Sequence, residues 1–362
     1  MQPLVSILIP AYNSEAWIAD TIRSALGQTW PNKEIIVVDD GSSDRTLSVA
    51  RQFAPDQVKV VTQRNAGAAA ARNASYAMSR GDFIQWLDAD DLLAPDKIEK
   101  QLETLKRSTD ERLLLSSAWG SFYWRSWKAA FLPSALWTDL TPVDWLTCKM
   151  RHNLHMQTST WLVSRKLTDA AGPWDTRLSL DDDGEYFCRV LLASSGTKFI
   201  GDAKTFYRAT GCSSLSVVDG SPKKLESQFL SMTLHIRYLL SLEESERTRS
   251  ACLAYIKTWF PYFCPRRMDL ADQLRSLAKS LGGCLEAPRL SWKYAWLEPV
   301  VGANAAKQVQ QSYNNAKSAL SRSFDRICFE LGKRNRRQPG IAMGSVRAGR
   351  NLANESGASG PA

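Results

Sequence analysis

Short apolar runs at residues 5–9, 35–38, 58–62 and 83–87 punctuate the first hundred positions and are separated by stretches with helical spacing. Between the first two runs, Ile18, Ile22, Ala25 and Leu26 recur at i, i+4, i+7 and i+8, one face of a helix spanning 14–28. Residues 44–53 and 66–78 read as two further helices, and Pro95 at a first helical position opens a fourth that runs to 106. Pro10 closes the first strand in this reading. A strand and a helix in each unit of about thirty residues predict a mainly parallel, doubly wound α/β sheet of Rossmann-like type.

Ligands of such sheets gather at the carboxyl ends of the strands. The residues falling there are 10–13, 39–43 and 88–91, all polar and two of them acidic. Asp88 and Asp90 flank Ala89, and residues two apart on an extended chain project to one side. Hard divalent cations take oxygen ligands, often one or two carboxylates with substrate phosphates completing the shell. The pair therefore suits a metal–diphosphate site, and the lack of a neighbouring His or Cys argues against zinc. The alternative is a solvated loop whose acids favour the positive end of the next helix. Asp39 or Asp40 can accept a hydrogen bond from a base or sugar, and Gly41 permits close approach. Tyr12 offers an aromatic face to a flat base. The competing reading there is a plain turn, with Ser43 or Asp44 capping the helix.

The motifs VSILIPAYN at 5–13, Gln28-Thr29, EIIVVDDGSSDRT at 34–46, RNAGAAAARN at 64–73 and GDFIQWLDADD at 81–91 together resemble family 2 glycosyltransferases, with the fold usually called GT-A. The resemblance covers about residues 3–215. It implies an inverting transferase that moves a sugar from a nucleoside-diphosphate donor to an acceptor hydroxyl. Pro10, Ala11 and Tyr12 would line the base pocket, Asp40 would contact the base, and Asp88 would lie beside the ribose and diphosphate. Asp90 would hold Mg2+ or Mn2+, and Arg72 matches a basic residue near the donor.

The resemblance further implies an acidic pair ahead of an aromatic helix ending in Arg. The stretch LSLDDDGEYFCRV at 178–190 puts that pair at Asp182 and Asp183, two aspartates in place of the usual Glu-Asp, with a third at Asp181. Asp183 is taken as the general base; helix capping by an acidic first turn is the structural alternative. His152 and His155, three apart, could share a helix face, but two ligands make a weak metal site. Trp161 and Trp174 either stack on sugar or pack in the core. Tyr207 and Arg208 match the end of the family pattern, as phosphate contacts or an ion pair.

Charge separates the chain in two. Of its net +9, residues 1–220 carry 24 basic and 26 acidic side chains, and residues 221–362 carry 22 and 11. A transferase domain is expected over 1–220, with a nucleotide-binding half at about 1–110 and an acceptor half at about 111–220. A basic, mostly helical extension follows over 221–338, including helices at 225–242, 249–260, 270–281 and 305–331. A Gly-, Ala- and Ser-rich disordered tail is expected over 339–362. Trp259, Phe260, Tyr262 and Phe263 beside Arg266 and Arg267, with the basic cluster 333–337, suggest docking on an anionic inner-membrane surface.

No run reaches the roughly 18 apolar residues of a membrane span, and the N-terminus lacks the basic start of a signal peptide. The seven cysteines form no Cys-x-x-Cys pair, so a reduced, cytoplasmic protein is expected. The glycosyltransferase resemblance implies a glycan or lipid-linked acceptor. Two other classes stay open. A nucleotidyltransferase would want a Gly-rich basic loop after the first strand, which 10–15 is not. A non-catalytic nucleotide-sugar or anionic-partner binding protein on the same fold is the main alternative. No nucleic-acid module is apparent, and nucleic acid is not an expected partner.

Overall fold

In a computed structural model, residues 2–106, 110–210, 221–264, 266–286, 316–317 and 319–331 are described. Four parallel strands form the heart of the chain: β1 (Val5–Ala11), β2 (Lys33–Asp39), β3 (Val58–Thr62) and β4 (Phe83–Trp86). Helices α1 (Ile18–Leu26), α2 (Thr46–Arg51) and α3 (Ala68–Ala77) connect them. The later elements are β5 (Leu92–Leu93), α4 (Lys97–Leu105), β6 (Leu113–Phe122), β7 (Ala130–Phe131), α5 (Pro142–His152), β8 (Val163–Ser164), α6 (Arg165–Ala171), α7 (Asp182–Ala193) and β9 (Gly196–Arg208). The strand order is β3-β2-β1-β4-β8 in one sheet, with β8 antiparallel, and β5-β9-β6-β7 in the second.

The continuous apolar runs have a direct cause. Both faces of the parallel sheet are covered, so alternate residues of one strand enter two different cores. Ile7, Ile9, Ile35 and Val37 pack with Ile18 and Ile22 of α1 and Ile98 and Leu102 of α4. Leu8, Ile36, Val38 and Trp86 face the other way, toward Tyr186, Phe187 and Leu191 of α7. Pro10 does not end β1: its residue pairs with Val38, and the strand runs on to Ala11. The strand end therefore lies two residues nearer Tyr12 than the sequence suggests.

Three helices follow the sheets: α8 (Pro222–Leu242), α9 (Glu246–Phe263) and α10 (Met268–Ser280). Their buried residues Met232, Ile236, Ile256 and Phe260 belong to the same core as α5 and α7. The expected helix at 305–331 is observed where described, as helical turns at 316–317 and 319–331. The expected tail at 339–362 lies outside the described residues. Among the described residues no helix is long and apolar enough to cross a membrane.

Candidate active site

The carboxyl ends of β1, β2 and β4 meet at one edge of the sheet, as the sequence places them. Tyr12, just past β1, is 52% exposed and leaves a ring face open, while Pro10 and Ala11 are buried backbone support. Asn13 takes a positive φ of 46°, and its Oδ1 accepts from Ser43 N at 2.9 Å, tying the first strand end to the second.

Asp39 and Asp40 close β2 with different surroundings. Asp40 accepts from Gln63 Nε2 (2.7 Å), Ala66 N (3.0 Å) and Gly67 N (2.8 Å), so its carboxylate holds the 63–67 loop. Asp39 accepts from Thr62 Oγ1 at 3.0 Å through Oδ2, but its Oδ1 is buried without a hydrogen-bond partner. An orphan buried acceptor is costly and marks a place where a donor is missing. Gly41 at φ +71° is required by the same loop, since a Cβ would come 2.9 Å from Asn65 N.

Past β4 the acids form a compact group. Asp91, absent from the sequence-based site, is fully buried; it accepts from Arg208 N at 2.8 Å and from Gln157 Nε2. Burial, with Asp90 and Asp88 close by, pushes its carboxyl well above the usual range. Asp90 lies at the edge of this group; burial and then Asp88 raise it to about 6, and its carboxylate is hydrogen-bonded by the Thr210 side chain. Arg208 serves the architecture here: its Nε donates to the Asp90 carbonyl at 2.8 Å, and its guanidinium lies 4.6 Å from both Trp17 and Phe122. Asp88, with a 28% exposed side chain, is half-buried.

Mg2+ or Mn2+ fits this donor set. Two hard carboxylates two residues apart, one raised by burial and by its acidic neighbour, match a cation that takes its remaining ligands from phosphate and water. No group of three or more His, Cys, Asp or Glu side chains suited to a metal occurs among the described residues. Any cation held by Asp88 and Asp90 would therefore depend on a phosphate-bearing ligand.

Arg72 joins this edge to the second acidic cluster. Its side chain, 7% exposed, donates to Asp88 Oδ1 at 2.8 Å and to Asp182 Oδ2 at 2.6 Å. The guanidinium lies 4.3 Å from the centre of the Trp174 ring, which stacks on Tyr186 at 4.0 Å. Trp174 and Trp161, 2% and 1% exposed, are core residues rather than open sugar platforms. The sequence hint they share with sugar sites is only their size, which the core uses equally well.

Asp182 and Asp183 occupy the first turn of α7, inside the helix rather than ahead of it. Asp182 is raised by burial, a shift that its Arg72 partner opposes. Asp183 forms no ion pair among the described residues: it accepts from Thr158 Oγ1 (3.2 Å) and Gly184 N (2.9 Å). Burial first, then Asp182 and Asp181, push its carboxyl up to about 7.

Asp181 departs from a capping role. It sits at φ +58° with no side-chain cap bond, and its Oδ2 accepts from Ser231 Oγ of α8 at 2.6 Å. Ser227 Oγ accepts from Ser179 N and Leu180 N, each at 2.9 Å. Helix α8 thus grips the 179–181 turn that delivers the two acids. Ser227 and Ser231 carry no motif signal, since a hydroxyl partner is defined only by the tertiary fold.

Two other expectations change. His152 ends α5 and Asn153 turns left-handed at φ 48°, so His152 and His155 do not share a helix face. Phe260 and Phe263 are 2% and 0% exposed in the core, so the aromatic run of α9 does not form an outward face. Its helical spacing turns those rings inward against α8.

Residues 6–153 match the family model described as Glycosyl transferase family 2. An uncharacterized glycosyltransferase of Rickettsia typhi is 31% identical over 193 residues, 53% of this chain and 60% of that protein. An Escherichia coli protein, WfgD, named as a UDP-Glc:alpha-D-GlcNAc-diphosphoundecaprenol beta-1,3-glucosyltransferase, is 41% identical over 106 residues, 29% of this chain and 42% of its own. The chain thus spans about three fifths or less of the length of these relatives. Among solved structures, S. aureus TarS 1–349 in complex with UDP-GlcNAc superposes with a TM-score of 0.61 over 76% of this chain and 81% of that one. At 16% identity this likeness speaks for the fold.

Proposed function

We propose that this chain, whose residues 6–153 match the model of glycosyl transferase family 2, is an inverting glycosyltransferase, moving a sugar from a nucleoside-diphosphate sugar to an acceptor hydroxyl. One observation carries the reading: Arg72 ties Asp88, on the phosphate side, to Asp182, beside the acid raised to about 7. Inverting transfer needs charge stabilisation on the leaving side of the sugar and a base on the other.

In this reading Tyr12 stacks on the base and the orphan Asp39 Oδ1 accepts its N–H. Asp40 keeps the 63–67 loop in place beneath it. Asp88 and Asp90 would hold Mg2+ or Mn2+, whose charge would offset that of the departing nucleoside diphosphate. Arg72 orients Asp88 and opposes the rise that burial imposes on the Asp182 carboxyl. Asp183 takes the acceptor hydroxyl's proton onto its carboxylate as that oxygen approaches the anomeric carbon. Thr158 and Gly184 N fix the carboxylate's direction.

Asp183 suits the base role better than Asp182. A base raised to about 7 matches the working pH, while Asp182 is committed to a cation. We further assign the acceptor to a glycan or lipid-linked sugar in cell-surface polysaccharide or glycolipid synthesis. The diphosphoundecaprenol acceptor in the name of the E. coli relative supports this class. The basic C-terminal part would then hold the protein at the cytoplasmic, inner face of a membrane.

Saturation-transfer NMR against a panel of UDP, GDP and dTDP sugars tests the donor half of the reading. Mn2+-dependent binding of one donor, lost in Asp90→Ala and in EDTA, is the expected result. No binding by any nucleotide sugar would favour a binding protein for another anionic partner.

A further inference from the structure

The helical turns at 319–331 pack on the domain with an unusual side inward. Asp325 accepts from Trp124 N (2.9 Å), Arg125 N (3.2 Å) and Arg125 Nε (2.6 Å). Phe329 lies 5.9 Å from the Trp124 ring and 6.1 Å from that of Trp127, and Arg326 lies over Trp124 at 5.1 Å. Asp325, Arg326 and Phe329 thus share the face that anchors the helix, through a partly buried ion pair and tilted ring contacts.

The opposite face carries the apolar stripe. Leu320, Phe324, Ile327 and Leu331 follow one another at i, i+4, i+7 and i+11, and are 73%, 66%, 59% and 54% exposed. That spacing puts all four within one narrow strip of the helix surface. Trp127, 61% exposed, stands beside the helix against Phe329. A helix that spends its polar face on the domain and turns its apolar strip to water requires an apolar occupant there.

Charge selects the occupant. Residues 316–337 include seven basic side chains, Lys317, Arg322, Arg326, Lys333, Arg334, Arg336 and Arg337, against two acidic ones, Asp325 and Glu330. Asp325 is already paired with Arg125. An apolar strip followed directly by the basic run 333–337 complements an anionic lipid surface, where the strip enters the acyl boundary and the cations of that run meet headgroups.

We propose that the helix at 319–331 is the membrane-docking element of this protein, seating Leu320, Phe324, Ile327 and Leu331 in an anionic bilayer surface. The seat has a functional direction. Arg322 and Arg326 of this helix, with Trp17, Trp124 and Thr210, line a cleft, and Thr210 is the residue whose side chain hydrogen-bonds Asp90. Docking brings the acidic strand end of β4 to the lipid surface, where a lipid-linked acceptor diphosphate would meet arginines. The acceptor's identity rests on the transferase reading; the docking itself does not.

Full-length protein is co-sedimented with vesicles of zwitterionic lipid containing about 30% anionic phosphatidylglycerol, at about 0.1 M and about 1 M salt. Wild type is expected to bind and to weaken at high salt. The double variant Phe324→Glu/Ile327→Glu, altered only at exposed positions, is expected to bind at least tenfold less. Its thermal melt and its response in the nucleotide-sugar NMR panel should be unchanged. Equal vesicle binding by wild type and variant would overturn the proposal, as would no binding by wild type. A wild-type dimer that the double variant dissolves, without vesicle binding, would overturn it in favour of an interface between copies. A failed nucleotide-sugar screen beside intact vesicle binding would count against the transferase reading alone.

Discussion

Arg72 donates to Asp182 at 2.6 Å across 110 residues of sequence, and with its other terminal nitrogen to Asp88. A single buried cation thus sets the spacing between the strand end proposed to hold the diphosphate and the helix end proposed to hold the base. Replacing Arg72 by Met leaves two poorly solvated carboxylates without their partner. Breaking such a pair costs about 3 kcal/mol of stability. Chemical denaturation should register a loss of that order, and nucleoside-diphosphate release should fall with it. Arg72→Lys keeps the charge but not the fork, and should recover much of the stability and little of the release.

The acidity of Asp183 gives a pH profile. With its carboxyl at about 7, raised first by burial, kcat/KM should fall as pH drops below that value and the base becomes protonated. Stability moves the other way. A carboxyl with a raised folded pKa binds more protons folded than unfolded between about 4 and about 7, so stability falls as pH rises through that window. Asp183→Asn should therefore melt higher than wild type at pH about 8, and the gap should close near pH about 4. A constant gap across that range would contradict the shift.

How far the sequence discloses this site depends on the kind of residue. The placement of Asp88, Asp90, Asp39 and Asp40 at strand ends is legible because strand ends are set by local pattern, and apolar runs mark where the strands stop. Asp183 was reached through a motif whose spacing to Arg189 survives inside α7. Ser231 was not legible: it becomes a partner only when a segment 50 residues away folds against it. Trp161 and Trp174 show the converse limit, because an aromatic ring near a sugar site and one in the core look alike until burial is known. Pro10 was misread since a proline is tolerated in a strand where its missing N–H is not needed by the ladder.

Helix α8 should matter to turnover more than to donor binding. Ser231 Oγ holds Asp181 at a positive φ, just ahead of the two acids, and a hydrogen bond to a carboxylate at such a site is worth about 1–2 kcal/mol. Ser231→Ala should lower the melting temperature modestly, reduce kcat and leave donor KM nearly unchanged. Steady-state kinetics that show a rise in donor KM alone would place the effect elsewhere.

The orphan oxygen of Asp39 predicts a donor-binding phenotype. Asp39→Ala removes the acceptor proposed to meet the base N–H, and should weaken the preferred nucleotide sugar by about tenfold, or about 1.4 kcal/mol. The free sugar phosphate, lacking a base, should be unaffected. Calorimetric titration of both ligands separates the two cases.

The most direct test of the account compares donor binding and turnover in one variant. Wild type and Asp183→Asn are titrated with the preferred nucleotide sugar in Mn2+, and nucleoside-diphosphate release is followed with a panel of glycan and lipid-linked acceptors. The account requires Asp183→Asn to bind donor within about twofold of wild type while release slows by about a hundredfold or more, the scale of a lost general base. Release at the wild-type rate would remove Asp183 from the chemistry, and loss of donor binding would move it to the donor side of the site.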